Sequence, residues 1–221
     1  MDCKNYYQYI DHTSLKAFTT MEDIRQLCME AIKYQMASVC IPPSYVARIH
    51  NEFPDLTICT VIGFPLGYTD TSTKIEETKN AILDGALEID MVINIADVKN
   101  GDFDKVYHEI KEIREASKSK VLKVIIETCY LTDEEKIRLC KIVTDARADF
   151  IKTSTGFGTG GATLSDVKLM KENIGPYVKI KAAGGVRSLA DIKAFIEAGC
   201  SRIGTSSAIE ILNGVTNNHE Y

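Results

Sequence analysis

The sequence predicts an α/β fold, a single (β/α)8 barrel, and three observations carry that prediction. Short β-branched runs alternate with helix-periodic stretches, eight times along the 221 residues. Such strict alternation implies parallel strands joined by right-handed crossovers. No glycine fingerprint follows the first run, where Asp11-His12-Thr13-Ser14-Leu15 stands, and an open doubly wound sheet would want one there. Glycine-rich turns follow the last two runs instead, the place where closed barrels commonly seat an anion.

In chain order, the strand runs lie at 9–11, 37–41, 57–62, 87–93, 121–127, 149–152, 177–181 and 202–204. Each is a short, mainly β-branched stretch that ends in polar or glycine residues. Helix candidates fill the gaps at 21–34, 43–52, 73–84, 102–116, 132–146, 165–173, 188–198 and 206–212. Thr20 with Asp23 opens the first like a capping box with the shorter acid, and Thr132 with Glu135 opens the fifth. Gly85 and Gly199 stop the third and the seventh. About 28 residues per unit is close to the minimum for a strand–helix pair. No Pro/Ser-rich linker or composition shift divides the chain, so residues 1–221 read as one TIM-barrel domain. A short N-terminal segment precedes it, and a polar tail follows from Asn213.

A formal charge of −5 without a basic block argues against a nucleic-acid partner. No apolar run is long enough to cross a membrane, and Met1-Asp2-Cys3-Lys4-Asn5 does not open a signal peptide. The expected compartment is therefore the cytoplasm. Seven cysteines at irregular spacing contain no Cys-x-x-Cys, and most sit in apolar stretches as reduced, buried thiols. The four histidines are too scattered to suggest a metal site.

Strand parity points to the chemistry. Side chains alternate between the barrel lumen and the helices. With Val178 and Ile180 outward, Lys179 and Lys181 face inward, and Ile151 outward turns Lys152 in. By the same rule Leu122, Val124 and Ile126 leave Lys123 inside, and Ile89 with Met91 leave Asp90 inside. One carboxylate cannot neutralise that many ammonium groups, and burying unpaired charge costs several kcal/mol. Lys179 reads as a residue of the solvated barrel floor, whereas Lys152 and Lys181 stand at strand ends on the active face. A free lysine, with a pKa near 10.4, is neutral in only about one molecule in 2,500 at pH 7. A neighbouring ammonium and partial burial lower that value, and a neutral lysine attacks carbonyls to form a Schiff base.

The last turns supply an anion site. Lys181-Ala182-Ala183-Gly184-Gly185-Val186-Arg187 and Gly204-Thr205-Ser206-Ser207 meet on one rim, where glycines let backbone N–H groups approach an anion. Thr153-Ser154-Thr155-Gly156-Phe157-Gly158 adds hydroxyls from the sixth strand. The candidate phosphate-binding residues are thus Thr155, Gly156, Gly184, Gly185, Gly204, Thr205 and Ser206. Arg187 either reaches the phosphate or pairs with a helix carboxylate.

At these residues the sequence resembles the deoxyribose-phosphate aldolases, a class I aldolase family. The matching segments are Ile10-Asp11-His12-Thr13, Val61-Ile62-Gly63-Phe64-Pro65-Leu66-Gly67, Glu88-Ile89-Asp90-Met91-Val92-Ile93-Asn94, Ile125-Ile126-Glu127-Thr128, Phe150-Ile151-Lys152-Thr153-Ser154-Thr155-Gly156-Phe157 and Lys181-Ala182-Ala183-Gly184-Gly185-Val186-Arg187. The resemblance implies a TIM barrel that cleaves 2-deoxy-D-ribose 5-phosphate reversibly to acetaldehyde and D-glyceraldehyde 3-phosphate, without metal or other cofactor. It further implies that Lys152 is the Schiff-base lysine, Lys181 its tuning neighbour and Asp90 a proton-transfer group, with Asp11, Thr13 and Lys123 in support. Two positions depart from the family pattern: Ser14 stands where leucine is expected, and Phe157 where some members carry lysine. The alternative reading is another class I phosphosugar aldolase or transaldolase; a non-catalytic phosphosugar-binding barrel is the rival from a different class. Expected partners are a phosphorylated deoxy sugar, small aldehydes and a second copy of the chain in a homo-oligomer. The tail is either disordered or long enough to return Tyr221 to the barrel mouth.

Overall fold

A computed structural model describes residues 6–214. The expectations for Met1–Asn5, Cys3 included, and for a returning Tyr221 lie outside the described residues. Eight parallel strands close into a barrel in sequence order. They are β1 (Ile10–Thr13), β2 (Ser38–Ile41), β3 (Ile58–Ile62), β4 (Glu88–Val92), β5 (Val121–Ile125), β6 (Phe150–Lys152), β7 (Lys179–Ala183) and β8 (Arg202–Thr205). Closure comes from β1 pairing with β8 through Ile10↔Ile203 and Asp11↔Gly204. Outside run α1 (Met21–Tyr34), α2 (Val46–Glu52), α3 (Thr71–Leu83), α4 (Ile95–Asn100), α5 (Phe103–Ser117), α6 (Asp133–Asp145), α7 (Leu164–Asn173), α8 (Leu189–Glu197) and α9 (Ala208–Leu212).

Local chemistry accounts for the boundaries. The Thr20/Asp23 and Thr132/Glu135 boxes both form, and Ser188 with Asp191 makes a third at the start of α8. After α3, Gly85 takes φ +109° and Ala86 N–H returns to the Ala81 carbonyl at 2.9 Å. Gly199 ends α8 in the same way, at φ +112° with Cys200 N–H on the Phe195 carbonyl. Both are six-to-one closures that need a left-handed residue.

Three expectations are corrected. The helix expected at 43–52 begins as a 3-10 turn, Pro43–Tyr45, because proline presets a tight first turn. The stretch between β4 and α5 holds α4, opened by the Asn94 side chain accepting from Ala96 N–H. At six residues it is too short to show a periodic signal. β7 begins two residues later than expected, at Lys179, so Lys181 lies mid-strand rather than at its end. The later start leaves Lys181 facing the lumen, because facing follows the ladder register.

The apolar core is the sleeve between strands and helices, where Ile89, Met91, Leu122, Val124, Ile151 and Ile180 pack fully buried. The lumen has two different walls. Toward β2 and β3 it is lined by Cys40, Cys59 and Val61, and from β4 round to β1 it is charged. Among the described residues no helix is long and apolar enough to cross a membrane.

Candidate active site

Register levels set the site. Asp90 on β4 pairs with Lys123 on β5, and Lys152 on β6 pairs with Lys181 on β7. Asp90 is fully buried and holds three ammonium groups: Lys152 at 2.8 Å and Lys181 at 2.7 Å on Oδ2, Lys123 at 2.8 Å on Oδ1. The sequence reading left this cluster short of negative charge. Two more carboxylates supply it. Asp11 meets Lys181 at 2.5 Å and Arg202 at 2.5 Å, and Glu88 meets Lys123 at 2.6 Å and Arg202 at 3.0 Å. Glu88 shares the parity of Asp90, two residues along the same strand, which is the signal that could have found it.

Four cations therefore face three carboxylates, an excess of one positive charge. Burial alone would raise the Asp90 pKa, but Lys123, Lys152 and Lys181 outweigh it and hold the carboxyl well below its usual range. Asp11 is depressed likewise, by Lys181, Lys123 and Arg202 against burial. Burial works against the charge on Lys181, yet Asp11 and Asp90 prevail and raise its pKa, so this ammonium stays charged at neutral pH. Lys123 is raised well above the ordinary lysine value by Asp90, Asp11 and Glu88, again against burial.

Gly204 makes room for this arrangement. A Cβ there would stand 3.2 Å from Lys181 Cε and 3.1 Å from Ala183 Cβ. Lys179 is exposed at the floor, with its ammonium 5.7 Å from the Phe150 ring centroid. It is no part of the cluster.

Above the lysines opens a cavity of ≈ 700 Å³. Gly156, Gly184, Gly185, Gly204, Thr205 and Ser206 all line it. Gly184 and Gly185 adopt φ +75° and +71°, a left-handed pair that turns successive backbone groups onto one concave surface. Arg187 also lines the cavity, while its backbone N–H goes to Asp191 at 3.0 Å. Phe157 forms part of the wall, edge-on to Phe64 at 5.3 Å.

Two expected residues are placed differently. The Thr155 hydroxyl is engaged by Glu127 and does not line the cavity. The Thr13 hydroxyl donates back to the Asp11 carbonyl at 2.8 Å, outside the charged cluster. Ser14 bonds Thr19 Oγ1 at 3.0 Å and so helps shape the β1–α1 loop.

Besides Glu88 and Arg202, the sequence leaves two more residues of the site unmarked. Glu127 is buried at φ +52°, and burial raises its pKa although Thr155 opposes the shift. It accepts the backbone N–H and hydroxyl of Thr155, so it holds the loop that follows Lys152. Lys16, from the β1–α1 loop, lines the cavity as a second cationic residue besides Arg187. An exposed loop lysine carries no signal of that role in the sequence.

Comparison with known proteins follows the same line. A family model described as DeoC/LacD family aldolase matches residues 6–215. A deoxyribose-phosphate aldolase of Clostridioides difficile (strain 630) is 61% identical over 210 residues, covering 95% of this chain and 96% of the relative. One of Clostridium botulinum (strain Alaska E43 / Type E3) is 60% identical over 208 residues, 94% of each chain. A solved structure described as a unique tetrameric deoxyribose phosphate aldolase from Aeropyrum pernix superposes with a TM-score of 0.89. It is 33% identical and is matched over 96% of this chain and 91% of its own. On these matches, which run nearly end to end over the barrel and its lysine cluster, the chain belongs to the DeoC/LacD aldolase family.

Proposed function

We propose that this enzyme cleaves 2-deoxy-D-ribose 5-phosphate reversibly to acetaldehyde and D-glyceraldehyde 3-phosphate through a Schiff base on Lys152. The charge count of the lumen is the observation that carries the reading. Lys123 and Lys181 each touch two or more carboxylates, whereas Lys152 touches Asp90 alone. Loss of one proton brings the cluster to neutrality, and Lys152, the one lysine of the three that is not fully buried, gives it up with least loss of pairing.

Neutral Lys152 attacks C1 of the open-chain sugar, and loss of water leaves a protonated imine that draws electrons from C2. A base takes the C3 hydroxyl proton and the C2–C3 bond breaks. Glyceraldehyde 3-phosphate leaves, and the two-carbon enamine is protonated at its methylene carbon and hydrolysed to acetaldehyde. Asp90, fixed between Lys152 and Lys181, serves as the proton relay. The charged Lys181 shares the same carboxylate oxygen with Lys152. The phosphate lies against the Gly184-Gly185 turn, Ser206 and Lys16, inside the cavity. In this reading the enzyme works in the cytoplasm on soluble metabolites, and the tetramer described for the Aeropyrum pernix protein supports a homo-oligomer.

Borohydride reduction in the presence of acetaldehyde tests the assignment. We expect a two-carbon adduct on the peptide bearing Lys152, and no adduct or turnover in Lys152→Arg, whose guanidinium stays charged. An adduct on Lys181 instead would reassign the nucleophile. Trapping with a ketose but not with acetaldehyde would favour a transaldolase.

A further inference from the structure

The aldol chemistry leaves the opposite wall of the lumen unused. Cys40 on β2 and Cys59 on β3 are register partners, both fully buried, and their parity turns both side chains inward. Their sulfur atoms and a carboxylate oxygen of Asp90 all lie within 4.8 Å of one another. The Cys59 thiol donates to Asp90 Oδ1 at 3.1 Å, and Lys123 Nζ donates to the Cys59 sulfur at 3.2 Å. Val61, Leu15 and Phe64 close an apolar shell around the pair.

We propose that Cys40, Cys59 and Asp90 form a site for a thiophilic divalent cation of the zinc class, and that its occupancy arrests the aldolase. Two sulfurs and one carboxylate oxygen, offered by three adjacent strands, form a ligand set of the kind that zinc and cadmium take. Three protein ligands leave the fourth position to the lumen, where water can complete a tetrahedron. Occupancy adds no charge to a cluster that already holds one excess cation. The cation enters as two thiol protons leave to solvent, so the net charge of the cluster does not change. Lys123 gives up its contact with the Cys59 sulfur but keeps Glu88 at 2.6 Å. The consequence for turnover follows from Asp90: a carboxylate bound to the cation no longer relays the proton.

Magnesium and calcium prefer all-oxygen ligand sets and should not compete. Cys129, which is half-exposed and beside Glu127, stands apart from the pair and serves as the control.

The test is a titration of the full-length enzyme with cadmium chloride, with magnesium chloride alongside. Binding is read by thiolate-to-cadmium charge-transfer absorbance, which is independent of any assignment of Asp90 in the reaction. The retro-aldol rate is measured on the same samples. We expect absorbance to saturate at one equivalent while the rate falls about tenfold in step, both reversed by EDTA. Cys40→Ala and Cys59→Ala should each weaken cadmium binding on the order of 100-fold, as loss of a metal-site partner does. Cys129→Ala should behave as the parent. Should one of the two variants fail to fold, the other decides. Full absorbance in a folded Cys40→Ala or Cys59→Ala enzyme overturns the site. Saturated binding with an unchanged rate overturns the arrest, and no saturable absorbance overturns both.

Discussion

Lys181 shows how much of a residue's role depends on its partners. Its ammonium is held by Asp11 at 2.5 Å and Asp90 at 2.7 Å, which makes it a fixed charge on the carboxylate that Lys152 also touches. Lys181→Leu removes that charge and releases Asp90 Oδ2 to Lys152 alone. In the proposed mechanism this should move the pH profile of imine formation to higher pH. An unmoved profile would take Lys181 out of the tuning role. Asp11 keeps Arg202 in the same variant, so no buried carboxylate is left unpaired. At the rim, Lys16→Ala should raise KM for the phosphorylated substrate about tenfold, the value of one charge-assisted hydrogen bond. Steady-state kinetics with unphosphorylated deoxyribose should show no such change; equal losses on both substrates would place the phosphate elsewhere.

Between elements, the Lys74–Glu109 pair ties α3 to α5 at 2.6 Å, with Lys74 fully buried. Lys74 also donates to the Gly67 carbonyl at 2.6 Å and the Val92 carbonyl at 2.8 Å, which locks the ends of β3 and β4 under the helices. Gly63 leaves the passage, since a Cβ there would stand 2.7 Å from Lys74 Cε. Burial pushes Lys74 down and Glu109 up, the signature of a pair that is costly to desolvate. Lys74→Met should therefore lose about 3–5 kcal/mol in urea denaturation, because Glu109 is left buried without its cation. Adding Glu109→Leu should restore only part of that loss, since two carbonyls remain without a donor. Full restoration would mean that the carbonyl bonds contribute nothing.

For the whole molecule, the buried charges predict the acid limit of stability. Asp11 and Asp90 both titrate below their unfolded value in the folded protein. A depressed carboxyl contributes stability that is complete above the unfolded pKa near 3.9 and is lost as pH falls toward the folded value. The urea midpoint should accordingly hold through neutral pH and drop from about pH 4 downward. Asp11→Asn should be less stable at pH 7 and should show a flatter decline below pH 4. Parallel curves for the two proteins would assign the acid loss to other groups.

How much was legible in the sequence depends on the range of the interaction involved. Strand alternation, the caps at Thr20 and Thr132 and the stops at Gly85 and Gly199 are local signals. So is the inward parity of Asp90, Lys123, Lys152 and Lys181, which does not depend on where each strand begins, because alternation fixes the facing of one residue relative to its neighbours. The resemblance at the lysine-bearing segments pointed to the family that the end-to-end matches then showed. What the sequence alone could not settle was how those charges are balanced. Asp11 reaches Lys181 and Arg202 only because β8 closes on β1, joining residues up to nearly two hundred positions apart, while Glu88 meets Lys123 across the neighbouring strands β4 and β5. The pairing of β2, β3 and β4 sets Cys40 and Cys59 against Asp90, and the β1–β8 closure brings the Lys16 loop to the cavity. Periodicity reports which way a side chain points, because it is written in neighbouring residues. Which charge it meets is a property of the closed barrel, and only the tertiary structure decides it.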